Sequence, residues 1–132
     1  MPLVRLTGSF ERSVLAEAGA AVHEAMVSCL NVPADDIFRV INAVREDEIV
    51  ADSGYLGVER RRPLFIEITL RAGRTDEVKR TFYRTVAENV AKRGIIRRED
   101  LLIALSENNP VDWSFGNGIA QYVPATATSA TQ

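Results

Sequence analysis

Asp36-Ile37-Phe38-Arg39-Val40-Ile41 and Asp100-Leu101-Leu102-Ile103-Ala104-Leu105 decide the reading of this chain. Each opens on an aspartate and continues as an apolar run of strand length. They lie about 64 positions apart, and the same offset relates what precedes them. Val14, Ala18, Val22 and Met26 step by four along one helical face. Val78, Phe82, Val86 and Val90 do the same 64 positions later. Ala25 and Cys29 belong to the first face, and Leu15 and Met26 widen it. Two segments that keep one apolar register at one offset form a tandem duplication of a unit of about sixty residues. In this alignment Ile66 falls on Pro2.

The rest of each unit follows. Pro2-Leu3-Val4-Arg5-Leu6 reads as a short strand, and so does Pro63-Leu64-Phe65-Ile66-Glu67-Ile68-Thr69-Leu70. Asn31 and Pro33 end the first helix, since proline cannot continue it. Thr75 suits the N-cap of the second helix, and Gly94 stops it. The polar stretch from Glu46 to Arg62 reads as loop and hairpin. A strand-helix-strand unit favours parallel pairing with a right-handed crossover. The expectation is an α+β domain over residues 1–123, with pseudo-repeats at about 2–45 and 63–106. Its duplicated β-α-β units form a four-stranded mixed sheet with two helices on one face. The pattern leaves open how the two halves pair with each other. No further helix is available for the second sheet face, so packing against other copies is expected to cover it. Residues 124–132, rich in Ala, Thr and Ser, read as a mobile tail.

Composition narrows the function. The 132 residues carry a formal net charge of −2, and no basic block is longer than Arg60-Arg61-Arg62. A nucleic-acid partner calls for a broader positive footprint. One cysteine and one histidine do not make a structural zinc site or an internal disulfide. No apolar run approaches the roughly 20 residues that cross a bilayer, and the start lacks a signal pattern. The expected location is the cytoplasm, with no nucleic acid and no membrane as partner.

Five features carry chemistry, each beside a plainer reading. Pro2 follows the initiator methionine, which is removed before small residues. Removal leaves a free proline nitrogen; a free α-amino group has a value of about 7.7–8.0, and burial or nearby cations lower it. A neutral amine near pH 7 is a competent general base. The plainer reading is a chain that merely starts Met-Pro. Arg71 and Arg74 flank Gly73 at a strand-to-helix turn, where two guanidinium groups clamp a carboxylate or simply face solvent. Asp36, before its strand, orients a water or takes a proton, or is solvated. His23 reads as a flanking surface histidine. Trp113 and Phe115, followed by Gly116 and Gly118, suit an aromatic wall on a tight turn, or the packing of a hairpin.

Together these segments resemble the tautomerase superfamily. The resemblance rests on Pro2-Leu3-Val4, Val32-Pro33-Ala34-Asp35-Asp36, Ser53-Gly54-Tyr55-Leu56-Gly57-Val58-Glu59-Arg60, Leu70-Arg71-Ala72-Gly73-Arg74 and Trp113-Ser114-Phe115-Gly116-Asn117-Gly118. It extends to about Val123 and is most specific at Trp113 to Gly118. The chain looks most like the internally duplicated members that include malonate semialdehyde decarboxylase. That resemblance implies the tautomerase/MIF-like fold, a homotrimer and no cofactor or metal. It also implies catalysis by Pro2 assisted by Asp36, a small carboxylate substrate held by Arg74, and an apolar wall of Trp113 and Phe115. The spacing of Arg71 from Arg74, and the placement of His23, resemble cis-3-chloroacrylic acid dehalogenase instead. That enzyme's catalytic tyrosine and glutamate fall at Ala104 and Ser114 here, which speaks against dehalogenation.

Three functions are therefore weighed. The first is keto-enol tautomerisation of a small 2-keto or 3-oxo acid, with Pro2 as base and Arg71 and Arg74 on the carboxylate. The second is decarboxylation or hydration, with Pro2 protonated and Asp36 stabilising that charge or orienting a water. The third is a trimeric binding module without turnover.

Overall fold

The computed structural model of the chain describes residues 1–125. β1 (Leu3–Gly8), α1 (Arg12–Leu30) and β2 (Arg39–Ala43) form the first unit; β3 (Leu64–Arg71), α2 (Asp76–Arg93) and β4 (Leu101–Asn108) form the second. Each unit pairs its strands in parallel, β1 with β2 and β3 with β4. The halves join antiparallel through β1 and β3, giving the sheet order β2-β1-β3-β4. The mixed four-stranded sheet and duplicated β-α-β plan are those read from the sequence. Residues 126–132, most of the expected tail, lie outside the described residues.

Alternation sets the core. Val4 and Leu6 on β1, and Leu64, Ile66, Ile68 and Leu70 on β3, point to the helices and are buried. Ala18, Ala21 and Ala25 give α1 a small face, while α2 supplies Phe82, Val86 and Val90 to the same core. Small against large lets the helices approach closely over the sheet. The helix ends follow their residues. Asn31 adopts φ 58° at the end of α1, and Gly94 adopts φ 64° at the end of α2. Thr75 Oγ1 accepts the Val78 N–H at 3.2 Å. The opposite sheet face carries rows such as Val40, Arg5, Glu67 and Ala104, aligned by strand register. No helix among the described residues is long and apolar enough to cross a membrane.

Two local readings change. The expected strand from Asp36 starts three residues later, at Arg39, because the Asp36 N–H donates to Pro33 O at 3.0 Å and closes a turn. Glu46 to Arg62 contains no strand or hairpin; short 3₁₀ turns at Glu46–Glu48 and Tyr55–Gly57 punctuate a loop. The first of these turns has a twin. The Arg45 N–H donates to Glu48 Oε1 at 2.8 Å, and the Asn109 N–H, 64 positions on, donates to Asp112 Oδ2 at 2.8 Å. The duplication therefore runs past the strands into the loops behind them.

Strand register refines the alignment. Val4 stands beside Arg39 as Ile66 stands beside Ile103. The counterpart of Pro2 is thus Leu64 and not Ile66, an offset two residues short of the one relating the helices. The second half regains those two residues between β3 and α2, in the turn that carries Arg71 and Arg74.

Candidate active site

Antiparallel pairing of β1 and β3 decides what meets at the N-terminus. Leu3 pairs with Thr69, so the register carried one residue back sets Pro2 beside Leu70, immediately before Arg71. On the other side Val4 N–H donates to Phe38 O at 2.9 Å, which brings Pro2 alongside Ile37 and the Asp36 turn. Pro2 is buried between the two. Two ends distant in sequence are joined by sheet order alone.

The arginine turn is held from below. Ala72 N–H donates to Asn108 O at 2.9 Å, and Gly73 N–H to Glu107 Oε2 at 3.3 Å. Gly73 has φ 123°, a conformation that side chains disfavour. Glu107 Oε1 also takes a bond from Lys79 Nζ at 2.7 Å. The Lys79 bond holds the Glu107 carboxyl below its ordinary value, and the Lys79 ammonium rises in return. The two arginines then diverge. Arg74 is half-buried, and its Nη1 and Nη2 donate to Arg71 O at 3.0 Å and Leu30 O at 2.8 Å. Burial lowers its value from the ordinary one, Glu107 opposes that shift and Arg71 adds to it. Arg71 is exposed, and no side-chain hydrogen bond or ion pair engages its guanidinium among the described residues. Arg71 presents the available cation, and Arg74 braces the backbone beneath it.

The segment after β4 folds back over this end. Trp113 Nε1 donates to Asn108 Oδ1 at 2.8 Å, which ties it to the residue paired with Arg71. The Trp113 ring stacks on Phe115 at 5.4 Å between centroids. Phe115 in turn meets Phe38 at 5.9 Å and the Tyr122 ring edge-on at 5.1 Å. Gln121 closes the loop, accepting from Phe115 N–H at 2.9 Å and donating to Gly116 O at 3.0 Å. Partial burial, then the neighbouring Asp36 carboxylate, push the Tyr122 phenol above its ordinary value, and Arg71 pulls it back. Asp36, Tyr122 and Arg71 therefore share one electrostatic neighbourhood. Asp36 Oδ1 is buried with no hydrogen-bond partner among the described residues.

Pro2, Asp36, Arg71, Trp113 and Phe115 thus gather at one end of the sheet, with Arg74 behind Arg71. His23 packs against the turn that carries Asp36. It is half-buried and its Nε2 bonds Ala34 O at 2.8 Å, bracing the turn that sets Asp36. Sequence reading did not single out Phe38, Tyr122, Asn108 or Glu107. Register alone marks the last two, since β4 ends beside Arg71. No group of three or more His, Cys, Asp or Glu is gathered to hold a metal ion among the described residues.

Comparison with known proteins fits this geometry. A family model described as "Tautomerase enzyme" matches residues 36–116. The chain is 39% identical over 126 residues to "Probable tautomerase YusQ" of Bacillus subtilis (strain 168), covering 93% of this chain and 99% of the relative. It is 30% identical to "Probable tautomerase YrdN" of the same organism, covering 93% and 97%. Among solved structures, FG41 malonate semialdehyde decarboxylase inhibited by 3-bromopropiolate superposes with a TM-score of 0.81 at 36% identity, over 92% of this chain and 93% of that one. A fused 4-OT symmetric trimer, at 15% identity and a TM-score of 0.66, shares the fold. With its duplicated β-α-β sheet and the family match across its centre, the chain belongs to the tautomerase superfamily of enzymes.

Proposed function

We propose that the chain interconverts the enol and keto forms of a small 2-keto or 3-oxo carboxylic acid, with the amino group of Pro2 as base after Met1 is removed. The observation that carries this reading is the convergence of buried Pro2, exposed Arg71 and the Trp113–Phe115 wall at one sheet end. Arg71, with Arg74 behind it, holds the substrate carboxylate. The amine takes the enol hydroxyl proton and returns a proton to carbon, so that oxygen loses what carbon gains. The aromatic wall excludes water, and a drier site keeps the amine neutral. The chemistry calls on no cofactor or metal. The convergence also weighs against a binding module without turnover, which has no need of it. Three copies packing their bare sheet faces complete the assembly, and the fused 4-OT that shares the fold is itself a symmetric trimer.

A second reading has a specific observation in its favour. The 36% identity with a malonate semialdehyde decarboxylase joins a buried Asp36 Oδ1 that has no hydrogen-bond partner among the described residues, in the turn next to the Pro2 end of β1. In that reaction Pro2 is protonated, and Asp36 stabilises the ammonium or orients a water. The resting charge of Pro2 separates the two. A pH-rate profile on enol-phenylpyruvate that rises with pH supports the base. A profile on malonate semialdehyde that falls with pH, with no turnover of the enol, supports the acid.

A further inference from the structure

The duplication builds a second end like the first, and that end holds a cavity of about 260 Å³. Ser9, Glu46, Ile49, Ala51, Ser53 and the run Arg60 to Pro63 line it. Its parts are those of the Pro2 end moved by the repeat. The end of β1 replaces the end of β3. The loop behind β2 replaces the loop behind β4, so that Ile49 and Ala51 stand 64 positions before Trp113 and Phe115. Smaller side chains there leave space where the Pro2 end has stacked rings. No free amine is present, since the chain runs through Pro63 into β3.

The charge of this cavity is distinctive. Arg60 Nη1 donates only to carbonyls, Tyr55 O at 3.1 Å and Val58 O at 3.4 Å, and its Nε is buried without a partner among the described residues. Arg62 donates to Ser9 Oγ and Ser9 O, and its guanidinium lies 4.6 Å from the Phe10 ring centroid. The Arg61 side chain is exposed, and none of the three arginines forms an ion pair with a carboxylate among the described residues. Asp100 approaches the run, but it accepts the backbone N–H groups of Arg61 and Arg62, at 2.7 and 3.2 Å. Glu46 is the one carboxylate in the lining. Three unpaired cations against one carboxylate, among the described residues, leave a net positive concave site that favours a bound anion, and the buried Arg60 Nε–H without an acceptor adds to that demand. The volume is several times the roughly 30 Å³ share of one water, enough for a small polyatomic anion.

We propose that this far cavity is a non-catalytic site for a small oxyanion, bearing carboxylate or phosphate oxygens, held by Arg60 and Arg61. It is separate from the Pro2 end and does not depend on the reaction performed there. The test is an amide-resolved NMR titration of the full chain with malonate and, separately, with inorganic phosphate. Arg71→Gln is used as background to remove the carboxylate site at the Pro2 end. Saturable shifts at Ser9, Ser53 and Arg61 are expected with at least one of the two anions, and the effective anion identifies the source. Arg61→Gln should weaken this binding roughly tenfold, as expected for losing one charge-assisted bond. Ile49→Trp, which fills the cavity without changing charge, should abolish it. Absence of saturation with both anions overturns the proposal. So do shifts spread over surface arginines and insensitive to Arg61→Gln and Ile49→Trp.

Discussion

Asp36 and Asp100 lie 64 positions apart at matching corners of the two halves, and their partners differ. Asp100, only 2% exposed, accepts the N–H groups of Arg61 and Arg62 from the segment leading into β3. The segment leading into β1 is Met1 and Pro2, and Asp36 Oδ1 has no partner among the described residues. The carboxylate at one corner serves the backbone, and the matching one, among the described residues, keeps an oxygen without a hydrogen-bond partner.

That difference predicts a titration. A carboxylate beside an amine favours the ammonium form and raises the amine's value. Replacing it with a neutral isostere lowers that value. Asp36→Asn should therefore move the rising limb of the tautomerase pH-rate profile to lower pH. A limb that stays in place, or moves to higher pH, would show that Asp36 does not act on Pro2.

The two arginines should separate in their effects. Arg71→Ala removes an exposed cation and should cost roughly 10- to 100-fold in kcat/KM on an acidic substrate, the worth of a charge-assisted bond, with the melting temperature unchanged. Arg74→Ala removes the donors that Leu30 O and Arg71 O take from its guanidinium, and should lower stability by about 1–3 kcal/mol as well as activity. Kinetics and thermal denaturation of both variants check this. Equal stability losses would contradict the division of labour.

Lys79 and Glu107 pin the arginine turn through Gly73 N–H, and their pairing is pH-dependent. Glu107 titrates below its ordinary value in the folded chain, so its contribution is present above that ordinary value and disappears as pH falls through the lowered one. Lys79 titrates above its ordinary value, so its contribution is present below it and disappears as pH rises through the raised one. The melting temperature of Lys79→Met should lie below that of the parent at neutral pH, and the gap should close in acid. A gap constant with pH would exclude the pair as its source.

The helix pattern and the trailing aspartates were enough to read the duplication, because a four-residue step and a fixed offset survive in one chain. Thr75 and Gly94 marked the ends of α2, since capping is local chemistry. The antiparallel join of β1 to β3 was not legible, and it is what brings Pro2 to Arg71. Pairing between strands sixty residues apart leaves no mark in local periodicity. The shorter register offset of β1 and β3 was hidden for the same reason, as both strands alternate with period two and tolerate a slip of two. Phe38 and Tyr122 stand out only once the loop after β4 has folded back over the strand end.

The bare sheet face predicts self-association, and the proposed assembly is a homotrimer. Arg5 and Glu67 share a row with Val40 and Ala104, and Phe65 and Leu102 share the next with Thr7. Val40 is 42% exposed in the single chain. Burial of such a face against copies of itself stabilises an oligomer through apolar contact and oppositely charged pairs. Light scattering at micromolar concentration should return three times the chain mass. A stable monomer would rule this out.

The last prediction concerns Pro2. Intact mass of protein from its native host should correspond to a chain that begins there, because retained Met1 would lock the nitrogen in a peptide bond and remove the base. Given a free amine, Pro2→Ala substitutes a primary amine, more flexible and less well placed than the ring nitrogen. The fold should persist, since β1 pairs from Leu3 onward and the apolar side chains it buries are Val4 and Leu6. General base catalysis is typically worth about 10²–10⁴-fold, so activity on enol-phenylpyruvate should fall by that order while circular dichroism and melting are retained. A folded Pro2→Ala variant with full activity would show that this amine is not the base. The convergence of Arg71, Asp36 and the aromatic wall would then have to serve a different proton carrier.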